Sequence, residues 1–82
     1  MYRILTEDKN LEQIIAVLVG LDLDFTVYRA RGSWQGKEEN SIAIELDNVP
    51  LQRAEHAAMS IKFMNNQAAV LLQEIPVKSK IM

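Results

Sequence analysis

An α+β domain of order β-α-β-β-α-β, a four-stranded antiparallel sheet with two helices on one face, is what this sequence predicts. Three observations carry the prediction. Leu11, Ile14, Ile15 and Leu18 recur at the spacing of one helix face, and Leu51, Ala54, Ala57, Ala58, Ile61 and Met64 form a second stripe of that period. Residues 41–46 alternate strictly, Ile42, Ile44 and Leu46 against Ser41, Ala43 and Glu45, as a strand with one buried face does. Between the helical patterns, residues 28–45 read as two strands joined by a polar turn region around the single tryptophan, Trp34, which lies between Gly32 and Gly36.

Taken in order, residues 2–6 form a short strand. Glu7 and Asp8 put negative charge at the start of the first helix, with Asp8 the expected N-cap, and Gly20 is placed to close that helix in the left-handed conformation. After a connection at 21–24, residues 25–31 read as the second strand. Its Phe25 and Val27 face turns cationic at Arg29 and Arg31. Asn48 or Val49 is expected to cap the second helix, with Pro50 in the first turn, where its missing N–H costs nothing. Asn65, Asn66 and Gln67 end that helix, and residues 68–75 are the expected last strand, stopped by Pro76.

One domain therefore covers residues 1–77, with 78–82 a short tail made basic by Lys78 and Lys80. The element order is that of the ferredoxin-like split unit. Right-handed crossovers then make the first and third strands central and the second and fourth the edges. If Ile4, Ile42, Ile44, Val70 and Leu72 face the helices, then Leu5, Tyr28, Ala43, Ala69 and Leu71 lie on a bare sheet face. That face is too apolar for water, and His56, Met59 and Phe63 add a second stripe off the core side of helix two. Together they favour a homo-oligomer, with a trimer the first choice.

A chain of 82 residues builds one small core, and without cysteine neither disulfides nor a thiolate metal site reinforce it. Net charge is −2, which speaks against a protein that coats nucleic acid. The N-terminus runs straight into a strand pattern with no apolar leader, and the longest apolar run is far short of a membrane span. A cytoplasmic protein without a membrane partner is the expectation.

The hairpin is where function is expected. Arg29, Arg31 and Lys37 suit an anion, Trp34 suits stacking on a ring, and Ser41 adds a donor. The competing reading is that Trp34 packs across a neighbouring subunit while Arg31 pairs with Glu38 or Glu39. His56, the only histidine, reads as a surface or interface residue. Glu7 and Asp8, like Asp22 and Asp24, read as cap and turn residues before they read as carboxylate pairs for a metal. No nucleophile–base pair, phosphate loop or dinucleotide fingerprint is present, so neither enzyme activity nor a cofactor or metal is expected.

Residues 34–41, Trp-Gln-Gly-Lys-Glu-Glu-Asn-Ser, resemble the CutA and PII-like group, in which a strand ends in an aromatic followed by Gly-Lys and an acidic turn. Residues 72–77, ending in Pro76 and Val77, are similar to the last strand of CutA proteins. The G-x-W-x-G-x-x-E-x-S hairpin also resembles small phage- and plasmid-borne proteins. The CutA and PII-like resemblance implies a trimer with its sheets packed inward and small ligands, often nucleotides, held between subunits. The chain lacks the long ligand loop of PII proteins, the interlocking extended strands of CutA, and the cysteine and histidines of metal-binding members. The resulting expectation is a small oligomeric protein that captures an anionic metabolite or signalling nucleotide at subunit clefts, a phage-type sequestering protein in a host cytoplasm being one concrete version. The alternative is an interaction module or inhibitor that docks on a host or other partner protein through the Trp34 hairpin.

Overall fold

A computed structural model describes residues 1–78 and 80–82, with Trp34 described through its backbone only. The elements are β1 (Tyr2–Glu7), α1 (Leu11–Gly20), β2 (Phe25–Trp34), β3 (Lys37–Leu46), α2 (Leu51–Met64) and β4 (Leu71–Glu74). The sheet runs β2-β3-β1-β4, every pair antiparallel, so the first and third strands are central as the crossover rule requires. This is the ferredoxin-like α+β fold that the sequence predicts.

The strict alternation in β3 explains the core. Ile42, Ile44 and Leu46 point to the helices and are fully buried, together with Ile4 from β1 and Ile14, Leu18 and Ile61 from the helices. Ala54, Ala57 and Ala58 are also buried, and small residues there let α2 approach the sheet closely. Leu51, expected in the same stripe, is the first residue of α2 and is half exposed.

Both helices stop in the same way, and not with glycine. Beyond α1, the Asp22 N–H reaches the Val19 carbonyl at 3.0 Å and the Leu23 N–H reaches that of Leu18 at 3.3 Å. Beyond α2, Asn66 bonds to Phe63 at 3.1 Å and Gln67 to Lys62 at 3.0 Å. These are Schellman motifs, with Asp22 (φ 55°) and Asn66 (φ 52°) in the left-handed position. Gly20 therefore stays helical, because the buried Leu23 needs two further residues to return to Leu18.

The helix starts also differ from expectation. Asn10, itself left-handed at φ 58°, precedes α1, and Asp8 is turned away to an arginine. Pro50 is the residue before α2 and not within it; Asn48, at φ 58°, makes the bend that brings it there.

Strand lengths depart furthest from the sequence reading. β2 runs on through Gly32 to Trp34, because Gln35 (φ 51°) and Gly36 (φ 78°) complete a two-residue turn with Trp34 opposite Lys37. That pair of positive φ values is a type I′ turn, whose twist matches the flanking strands. Gly36 carries the conformational demand, whereas Gly32 is an ordinary strand residue opposite Glu39. β4, expected over 68–75, is only Leu71–Glu74, extended by one bond from the Ile75 N–H to the Met1 carbonyl at 2.8 Å.

Two measurements check this packing. Ile44→Ala is expected to lower unfolding free energy in urea by about 2–5 kcal/mol, the range for a fully buried aliphatic truncation. Asp22→Gly is expected to raise it by roughly 0.5–1 kcal/mol, by relieving a left-handed non-glycine residue.

Candidate binding site at the hairpin

The site is made by unequal strand lengths. β1 ends with Glu7 opposite Ser41, yet β2 and β3 continue past that point, pairing Arg31–Trp34 with Lys37–Asn40. On the other side of β1, β4 pairs only as far as Leu5 with Leu71. The sheet thus narrows from four strands to two, and the end of the hairpin stands beyond the rest.

Where it narrows there is a groove of about 520 Å³. Leu5, Val70 and Leu71 give it apolar walls, and Glu7, Glu39, Asn40, Ser41 and Gln67 rim it with polar groups. A polar network holds its inner end. The Thr6 hydroxyl donates to Gln67 Oε1, and Asn65 Nδ2 donates to the same oxygen at 3.1 Å. Asn10 Nδ2 donates to Asn65 Oδ1 at 3.0 Å, and Gln67 Nε2 to the Ala69 carbonyl at 3.2 Å. Thr6 and Asn65 are buried, so these bonds meet needs that water does not. The sequence signal was the run Asn65, Asn66, Gln67, read only as a helix stop.

The five residues expected to bind a ligand are divided by the pleat. Arg29 and Arg31 share a strand parity with Phe25 and Val27 and lie on the helix side. Lys37 and Ser41 have the parity of Ala43 and lie on the open side, with Ser41 lining the groove. The orientation of the Trp34 side chain lies outside the described residues. Arg29 Nε is 3.3 Å from Asp8 Oδ1, and Arg31 is 3.2 Å from Glu38, the pairing that the competing reading anticipated. Both members of the Arg31 pair are about three-quarters exposed, so the pair contributes well under 1 kcal/mol and opens at little cost.

The open face carries a second polar group. Arg3 lies 3.1 Å from Glu45, and the Tyr28 hydroxyl donates to Glu45 at 3.0 Å. Arg3 Nε and Gln73 Oε1, side by side in the ladder, are buried without a hydrogen-bond partner among the described residues. Around them Ala43 is buried, while Tyr28 and Leu71 are nearly half exposed. Among the described residues no group of three or more His, Cys, Asp or Glu is placed to hold a metal ion.

No protein-family model matches the chain, and no curated protein matches it significantly. Solved structures do. A DUF3240 family protein from Shewanella baltica OS155 superposes with a TM-score of 0.73 at 10% identity, covering 99% of this chain and 91% of that one. The periplasmic divalent cation tolerance protein CutA from Archaeoglobus fulgidus gives 0.59 at 15% identity, over 98% and 84% of the two chains. The chain has a CutA-like ferredoxin fold. CutA1 from Pyrococcus horikoshii OT3, as a single-substitution variant, gives 0.55 at 18% identity, over 99% and 87%. At such identities the likeness is one of fold, and at that level the resemblance to the CutA and PII-like group is borne out.

Gln67→Ala tests the network that shapes the groove. It leaves Thr6 and Asn65 buried with fewer partners, so a loss of about 1–3 kcal/mol in unfolding free energy is expected. Hydrogen exchange should accelerate selectively at residues 67–71.

Proposed function

We propose that this protein is a small homo-oligomeric binding protein, CutA-like in build, that captures an anionic metabolite or nucleotide where the hairpin of one copy meets a neighbour. The observation that carries the reading is the overhanging end of the hairpin. It presents Lys37 on one face and Arg31, in an easily opened pair, on the other, beyond the reach of β1 and β4. We place the phosphate at this end because Glu39 lines the groove behind it, where the Glu7 carboxylate is already paired with Lys9 at 3.3 Å.

Self-association through the open sheet face has its own support. Leu71 and Tyr28 expose apolar area there. A trimer with these faces inward is the arrangement we favour. Leu71→Asp should then dissociate the assembly in light scattering, while Phe63→Asp, on the far side of the molecule, should leave its mass unchanged. The reverse result would move the interface to α2.

Ligand capture is tested by calorimetric titration with a panel of nucleoside phosphates. Arg31→Ala and Lys37→Ala lie on opposite faces of the hairpin, so one of the two single variants should weaken binding about tenfold without lowering the melting temperature, a charged contact contributing roughly 1.5 kcal/mol, and the other should leave it unchanged. If no member of the panel binds, the second reading takes over, in which the hairpin docks on a partner protein. The bare backbone edge of β3 at residues 37–40, open to an added strand on its β1 side, favours that alternative.

A further inference from the structure

Gly32 is a glycine that its own backbone does not require. It lies within β2 in unbroken register opposite Glu39, without a bulge, and its φ is not positive. A glycine inside a strand weakens it, and without a bulge or bend it marks a place where something comes close to the backbone. By strand parity Gly32 faces the open side, as Tyr28 does, so one flank of the Glu39 side chain is left bare. Among the described residues, a methyl group on Gly32 would meet nothing within 4 Å beyond its chain neighbours.

That empty space belongs to the groove at the end of β1, which Gly32 and Glu39 both line. Its volume of about 520 Å³ falls within the roughly 300–1,000 Å³ of small-molecule sites. Leu5 and Leu71, paired across the β1–β4 ladder, give it an apolar end, and Glu39 and Ser41 a polar one, all on the same face of the sheet. Leu5 stands opposite Ala43, so at the rise of a strand the two ends are roughly 13 Å apart. The polar end is rich in acceptors, and none of the described lining residues is cationic. Glu39 enters no ion pair among the described residues, whereas the Glu7 carboxylate is matched by Lys9 at 3.3 Å. Residues 37–40 have no β1 partner, so alternate backbone carbonyls there add further acceptors.

We infer that this groove binds a small primary amine with an aliphatic chain, its ammonium on Glu39 and Ser41 beside Gly32 and its chain along Leu5 and Leu71. An ammonium carries three donors and no acceptor, which suits a lining of carboxylate, hydroxyl and carbonyl oxygens. A chain lying flat on the sheet keeps its charged end and its apolar body on one face, as Glu39, Leu5 and Leu71 are. The amine's site is separate from the anion's place at the tip of the hairpin, and different probes titrate the two.

The test is an amide NMR titration of the intact protein with butylamine, hexylamine and octylamine, all protonated at neutral pH, and with octanoate as the anion of matching length. Shifts should centre on Gly32, Glu39 and Ser41, and each added methylene should tighten binding by up to about fourfold. Glu39→Gln should weaken octylamine binding about tenfold. Gly32→Val fills the empty space with a better strand residue, so it should keep or raise the melting temperature while octylamine binding is lost. Retained binding in folded Gly32→Val overturns the inference. So does octanoate binding as tightly as octylamine, or no saturable amine binding by the unmodified protein. Should Gly32→Val not fold, Glu39→Gln decides alone, and unchanged affinity in that variant overturns the inference as well.

Discussion

Thr6 marks where the sheet stops being four strands wide, and much of the molecule depends on what its hydroxyl does. It donates to the side-chain amide of Gln67, just after α2. Asn65 and Asn10 complete the junction, which ties the start of α1, the end of β1 and the end of α2 into one buried polar knot. Such a knot is stabilising only when each member is satisfied. Beside it Gln67, Ala69 and Val70 line the groove, and β4 begins at Leu71.

Charge is sorted along the hairpin by the same geometry. A two-residue turn sets Trp34 opposite Lys37, so residues of odd number in β2 face the helices while those of odd number in β3 face away. Arg29 and Arg31 are thereby directed to Asp8 and Glu38, and Lys37, Glu39 and Ser41 to the open side. The open side thus carries Lys37 near its tip and Glu39 and Glu7 nearer its root, the last paired with Lys9.

The parts of this fold set by side-chain period were legible in the sequence, and those set by single backbone torsions were not. Ile14 and Leu18, Ala54 to Ile61, and Ile42 to Leu46 announce their buried faces by spacing alone, and the element order with its sheet topology follows. Helix ends were misread because glycine and acidic charge are averages. Here Asp22 and Asn66 adopt the left-handed conformation, and Asn10 stands where Asp8 was expected. The length of β4 was hidden because Ala68 to Leu72 carry no turn signal. In the site, the alternation that put Arg29 and Arg31 on the Phe25 face was readable. The turn length that set Lys37 and Ser41 on the other face was not, because Gly32 and Gly36 looked equally able to turn the chain.

The bond from the Ile75 N–H to the Met1 carbonyl joins the chain's two extremities at one corner of the sheet. β4 has no neighbour but β1, so its ladder closes a loop of nearly the whole polypeptide. Closing so long a loop costs little more than closing half of it, but the cost is met only by pairing sequence-distant strands. The hairpin's contacts are local in sequence, whereas this corner pairs strands that are far apart in it. Ile75 and Met1 are thereby held to each other, so a change at residue 75 is felt at the start of the central strand β1.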